Sequence, residues 1–150
     1  FDIDPDAAQT METEQPEAQR FSIAGRNILV VEDNDLNMEI SHFLLENEGA
    51  CVTEAWNGKE AVELFARSAP GHFDVILMDV MMPEMDGLEA TRRIRAMDRP
   101  DARTVPIIAM TANAFSDDIQ RSREAGMNEH LSKPLDLPLL LQAIHRCLHQ

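Results

Sequence analysis

Val75-Ile76-Leu77-Met78-Asp79 is the stretch that most limits what this chain can become. Four apolar residues run directly into a carboxylate, and Pro83 and Asp86-Gly87 follow as turn signals. A short apolar run bounded by turn signals reads as a strand buried on both faces. Asp79 is the wrong residue type for that interior unless it ends the strand at a site. In parallel α/β sheets ligands bind at the carboxyl ends of the strands, so Asp79 is expected to be the reacting group of such a site.

The same design recurs along the chain. Asn27-Ile28-Leu29-Val30-Val31 is a second buried-strand pattern, and it ends on Glu32-Asp33. Residues 105–110 form a third, ending at Thr111-Ala112, and two shorter strands read over 51–55 and 129–132, the latter before Lys133-Pro134. Helical spacing fills the intervals. Asn34 and Asp35 can cap a first helix, with Leu36, Ile40, Phe43 and Leu44 read as its inward face and Gly49 as its stop. Ala61, Leu64 and Phe65 mark a second helix, and Leu88, Thr91 and Ile94 a third that opens at Asp86-Gly87. A fourth runs over 116–125 with Asp117 and Asp118 in its first turn. A fifth carries Leu137, Leu140, Leu141, Ile144 and Leu148. Five strands alternating with five helices predict a doubly wound α/β fold: a parallel sheet, right-handed crossovers and helices on both faces.

Charge divides the chain once. The net charge is −14 over 150 residues, and residues 1–25 contribute six acids and one base without apolar periodicity. That segment reads as an acidic flexible linker, with Phe21 and Ile23 as the first residues able to pack. Residues 26–150 read as one folded domain carrying −9. The acidic balance argues against nucleic-acid binding through a basic face. No apolar run approaches a membrane span. Cys51 and Cys147 lack metal spacing and read as apolar residues in a reducing, cytoplasmic compartment. Arg92, Arg93 and Arg95 read as a solvated helix face, His42 as a surface residue, and Trp56 as a partly exposed packing residue.

If all strands are parallel, their polar ends share one rim: Glu32 and Asp33, Asp79, Thr111 and Lys133. Gathered carboxylates repel, and a divalent cation relieves the repulsion; hard oxygen ligands favour Mg²⁺ or Mn²⁺. Mg²⁺ keeps waters and takes one or two carboxylates plus phosphate oxygens, so such a site is open to a phosphoryl group. Lys133 can hold one phosphate oxygen as a compact cation. The Thr111 hydroxyl can donate to another, and Ala112 leaves room for it. Asp79 is then the nucleophile toward phosphorus.

These residues resemble the receiver domain of two-component response regulators. The motifs are Val30-Val31-Glu32-Asp33-Asn34, Met78-Asp79-Val80-Met81-Met82-Pro83 with Met85-Asp86-Gly87, Met110-Thr111-Ala112, and Leu131-Ser132-Lys133-Pro134. Each is weak alone; four in order at four strand ends are specific. The resemblance implies the flavodoxin-like strand order 2-1-3-4-5 and phosphorylation of Asp79 by phosphohistidine. It implies Mg²⁺ held by Asp33, Asp79 and the Met81 backbone carbonyl, with Glu32 acting through water. It implies Thr111 and Lys133 in contact with the phosphoryl group, and a histidine kinase core or a histidine-containing phosphotransfer protein as partner, docking near Asn37, Met38 and Ser41. Glu32-Asp33-Asn34 with Asn37, and Met110-Thr111-Ala112-Asn113-Ala114, are similar to receivers at the end of hybrid sensor histidine kinases, whose kinase core would lie upstream and whose parent protein would be anchored in the inner membrane. A stand-alone receiver is the alternative setting. One position departs from the family: His130 stands where most receivers carry Tyr or Phe, so the switch expected of Thr111 and its aromatic partner falls here to Thr111 and His130.

Rival readings fit less well. A haloacid-dehalogenase-type phosphohydrolase needs a second Asp two positions after the nucleophile, where this chain has Met81. A nucleotide or flavin binder needs a glycine- or hydroxyl-rich loop after the first strand, where this chain has acids. A docking module without chemistry would not need the acid, Thr and Lys set.

Overall fold

The structure is a computed structural model and describes residues 23–80, 85–111, 116–132 and 136–148, without the side chains of 116–118. Within them the chain alternates β1 (Asn27–Val31), α1 (Asp35–Asn47), β2 (Cys51–Ala55), α2 (Gly58–Arg67), β3 (Val75–Asp79), α3 (Gly87–Arg95), β4 (Ile107–Thr111), α4 (Ser116–Ala125), β5 (Glu129–Ser132) and α5 (Leu137–Leu148). The strands form one parallel sheet in the order β2-β1-β3-β4-β5. This is the flavodoxin-like order expected from the resemblance. Most of the expected linker, residues 1–22, lies outside the described residues; Ile23 is packed into the core at 1% exposure.

The central strands are apolar throughout because each of their faces is covered. Successive side chains in a strand point to opposite faces. Leu29, Val31, Ile76, Met78, Ile107 and Ala109 pack on one side with Phe65 of α2 and Leu88 and Ile94 of α3. Their neighbours Ile28, Val30, Val75, Leu77, Ile108 and Met110 pack on the other with Met38 and Leu45 of α1 and Leu140 and Ile144 of α5.

α1 departs from the expected packing. Its cap is as read, with Asn34 Oδ1 accepting from the Asn37 N–H at 2.9 Å. Its inward face is not. Met38, Ser41 and Leu45 are buried, whereas Leu36, Ile40 and Phe43 are exposed. The helix carries two sets of residues at helical spacing on opposite sides, and periodicity alone does not choose between them. The buried side is the one on which Met38 and Leu45 pack with Ile28 and Val30 of the sheet and Leu140 and Ile144 of α5. The glycine stop holds: Gly49 has φ +92, a conformation a side chain disfavours.

Two further surface readings are corrected by packing. Arg95 is not part of a solvated face. Its guanidinium donates to the carbonyls of Gly126 at 2.7 and 3.0 Å and of Ala102 at 3.1 Å, tying α3 to the end of α4. Arg92 and Arg93 do remain outside, paired with Glu89. His42 is half-buried between two acids, with Nε2 2.8 Å from Glu46 and Nδ1 2.7 Å from Glu54, so it pins α1 to β2. Of the two cysteines, Cys147 is buried and Cys51 is exposed.

The close approach of α3 to β3 depends on one glycine. Asp86 caps α3, its Oδ1 accepting from the Glu89 N–H at 2.9 Å, and the Gly87 N–H donates to Val80 O at 3.0 Å. A Cβ at Gly87 would press on the backbone carbonyl of Asp79. Gly87→Ala is therefore expected to lower stability by about 1–3 kcal/mol, read as a lower urea midpoint at unchanged slope; an unmoved midpoint would show that α3 backs away freely. His42 supplies a pH test. Burial works against its charge, but the hydrogen bonds that the imidazolium donates to Glu46 and Glu54, with the negative charge of both, outweigh it and raise the pKa above 6.5. The protonated form is thus favoured by folding, so its stabilising contribution is full below 6.5 and is lost as pH rises through the raised value. The stability difference between wild type and His42→Gln should shrink with increasing pH; a difference that is flat or grows would remove the ion-pair role.

Candidate functional site

Two adjacent strands deliver acids to the same edge. Val31 of β1 is level with Met78 of β3, so Glu32 and Asp79, one residue further on, leave the sheet side by side. Glu32 continues the β1 ladder through its N–H to Ala55 O at 3.0 Å. Its Oε2 accepts from the Asn34 N–H at 3.2 Å. Asp33 follows and is exposed. One carboxylate oxygen from each of Glu32, Asp33 and Asp79 lies within 4.8 Å of the others.

The burial of this cluster is uneven. Glu32 and Asp79 are 1% and 3% exposed, while Asp33 opens to solvent. Buried carboxylates are costly unless cations or hydrogen bonds compensate them. Two oxygens bound to one Mg²⁺ stand about 2.9–4.2 Å apart, from metal–oxygen distances near 2.0–2.1 Å. A set gathered within 4.8 Å therefore needs about one to two ångströms of closure to share a small cation. All donors are hard oxygens, which suits Mg²⁺ and does not suit thiophilic metals. The residues present fit a divalent cation.

Thr111 closes β4 at the same edge. Asp79 is level with Met110, so Thr111 lies one residue beyond Asp79 on the neighbouring strand, at 7% exposure. The Val80 N–H donates to Met110 O at 3.0 Å and extends the β3–β4 pairing past Asp79. Thr111 is in turn level with Ser132, the last residue of β5. Lys133, Ala112 and Met81 lie outside the described residues. His130 lies in β5, half-buried, on a cavity of about 40 Å³ that Ile119, Ser122 and Met127 also line.

Sequence reasoning passed over part of what supports this edge. Gly87 reads as a helix opener, yet it is also the backing of Asp79. A glycine directly after a capping Asp, shortly beyond the strand-end acid, is the signal that could have found it. Met38 and Ser41, expected at a docking surface, are buried against the sheet.

The chain is similar in sequence and fold to known proteins. A family model for the response regulator receiver domain matches residues 28–145. The polar-differentiation response regulator DivK of Brucella anthropi is 37% identical over 119 residues, spanning 79% of this chain and 93% of DivK. A rice protein named "Probable histidine kinase 2" is 38% identical over 132 residues; the match takes in 81% of this chain but only 13% of that protein. Among solved structures, the receiver domain of a sensor histidine kinase of Pseudomonas aeruginosa PAO1 superposes with a TM-score of 0.76 at 40% identity, covering 85% of this chain and all of that one. That structure has a magnesium ion coordinated in its active site cleft.

Proposed function

This chain belongs to the response regulator receiver domain family of two-component systems, and from that premise we propose that it is a phosphoacceptor whose reacting atom is a carboxylate oxygen of Asp79. The observation that carries the reading is the gathering of Glu32, Asp33 and Asp79 at the carboxyl ends of two adjacent strands. The first relatives it matches are far longer than the chain, so the activity and partners of the whole protein are part of the proposal.

An Asp79 oxygen attacks the phosphorus of a phosphohistidine. The new O–P bond forms as the P–N bond breaks, and the electron pair returns to the imidazole nitrogen, which takes up a proton. The product is an acyl phosphate on Asp79. Burial of Asp79 at a strand end limits the directions from which a donor can approach and excludes bulk water from its flanks. Asp33, exposed beside it, together with Asp79 and the Met81 carbonyl, would hold Mg²⁺ directly, and Glu32 would act through water. The bound ion would neutralise the carboxylates and the incoming phosphoryl charge. Thr111 and Lys133 would contact the phosphoryl oxygens, with Ala112 leaving space between them. His130 would follow Thr111 inward, a reading supported by its place beside the small cavity against α4.

We place the chain in a hybrid sensor histidine kinase, with residues 1–25 as the tether, its last residues from Ile23 already packed on the domain, and 26–150 as the receiver. The likeness to the Pseudomonas kinase receiver and to the rice protein supports this setting; the likeness to DivK supports a stand-alone receiver as the second reading. Phosphoryl exchange would be with a histidine kinase core or a histidine-containing phosphotransfer protein. No helix among the described residues is long and apolar enough to cross a membrane.

Incubation with acetyl phosphate and Mg²⁺ should add one phosphoryl mass to the intact protein, and Asp79→Asn should abolish the adduct. Absence of the adduct under conditions that label other receivers would sink the reading. Mg²⁺ should also raise the melting temperature of the wild type, since a ligand that binds only the folded state stabilises it. Asp33→Asn should reduce that rise by weakening the site on the order of tenfold or more; an undiminished rise would place the ion elsewhere.

A further inference from the structure

α2 opens on a glycine that the helix itself does not call for. Gly58 is buried and stands directly after the Asn57 cap. Its φ is not in the left-handed region, so conformation does not require glycine, and alanine is the better helix former. Space is what requires it. A Cβ at Gly58 would press on the backbone carbonyl of Met85, and would stand 3.1 Å from Met85 Cγ and 3.2 Å from Ala90 Cβ. Met85 precedes Asp86, the cap of α3, and Ala90 lies in that helix. Gly87 meets the Asp79 backbone in the same way. Two glycines thus set α2 against the start of α3, and the start of α3 against Asp79, with no side chain between. Both ends of this stack are held. The Glu60 N–H donates to Asn57 Oδ1 and the Trp56 N–H to Glu60 Oε1, each at 2.8 Å. The Gly87 N–H donates to Val80 O at 3.0 Å.

We propose that Gly58 is a positioning residue for the Asp79 site, acting through Met85 and the first residues of α3; this rests on the reading of Asp79 as a phosphoacceptor. The atom nearest to an added Cβ is backbone, so no side-chain rotation makes room for it. Nor can α2 retreat freely, because Ala61 and Phe65 share a core with Leu88, Ala90 and Ile94 of α3. The displacement passes instead to Met85 and Asp86-Gly87, and from Gly87 to the Asp79 backbone it abuts. Asp79 must close on Glu32 and Asp33 to share a cation, and a displaced backbone opposes that closure. Attack on phosphorus feels the same shift, since a misplacement of about 1 Å can cost on the order of a hundredfold in rate. Gly58 does not belong to the acid cluster, so its effect is on geometry alone.

Mg²⁺ is titrated into the full chain by calorimetry, and labelling by acetyl phosphate is timed by intact mass, for wild type, Gly58→Ala and Gly49→Ala. Gly49 is the control: its φ of +92 strains any alanine there, and a Cβ on it would meet Ala24 rather than Met85. Gly58→Ala should raise the Mg²⁺ dissociation constant roughly tenfold and slow labelling on the order of tenfold to a hundredfold. Gly49→Ala should lower the urea midpoint and leave both quantities at the wild-type values, which separates positioning from general loss of stability. Circular dichroism checks that each variant is folded. If Gly58→Ala is not, Asn57→Ala decides: it removes the α2 cap without adding bulk, and should shift the Mg²⁺ constant in the same direction by a smaller factor. An unchanged Mg²⁺ constant in folded Gly58→Ala, or in Asn57→Ala where that variant decides, would overturn the proposal. So would an equal loss in Gly49→Ala. A wild type that neither binds Mg²⁺ nor labels would overturn the phosphoacceptor reading itself, and the proposal with it.

Discussion

Two carboxylates held almost out of water at the ends of adjacent strands are the constraint around which this structure is arranged. Glu32 and Asp79 sit at 1% and 3% exposure with Asp33 beside them. Charges so placed demand compensation, and a small divalent cation with oxygen preference is the group that the donor set fits. The sheet makes the arrangement possible. Parallel strands point all their carboxyl ends one way, so residues distant in sequence reach one rim without any loop having to fold back.

The opposite requirement, rigidity behind the site, is met by short-range geometry rather than by more polar contacts. Gly87 lets α3 start against the backbone of Asp79, and the Asp86 cap fixes where that helix begins. Away from the rim, charged side chains serve as ties. Arg95 joins α3 to the carbonyl at the end of α4, and Arg99 lies over the Phe65 ring while pairing with Asp101. That pair holds the Asp101 carboxyl below its ordinary pKa, chiefly through the hydrogen bond from Arg99. The same residue classes thus serve two purposes: exposed or clustered at the rim they offer chemistry, and paired elsewhere they hold elements together.

α1 joins these two themes. It begins beside the acid cluster, and its sheet-facing side needs only Met38, Ser41 and Leu45. That leaves Leu36, Ile40 and Phe43 outside, on the far face of the helix. The His42 bridge to Glu54 holds the helix against β2.

Much of this was legible in the chain itself. Apolar runs ending on Glu32-Asp33, Asp79 and Thr111, alternating with helix-spaced segments, determine a parallel doubly wound sheet, because an all-apolar strand must be covered on both faces and a crossover helix is what covers it. The identity and rim position of the candidate acids follow from the same pattern. What the sequence could not decide were matters of rotation and reach. Helical spacing in α1 admits two opposite faces, and only packing against the sheet selects one. The run of arginines in α3 looks uniformly solvated until packing brings Gly126 within reach of Arg95 alone. His42 becomes a bridge, and Gly87 a backing for Asp79, only when another element arrives beside them. Local pattern fixes which residues are apolar, charged or small; the direction each one faces is set by contacts between segments far apart in the chain.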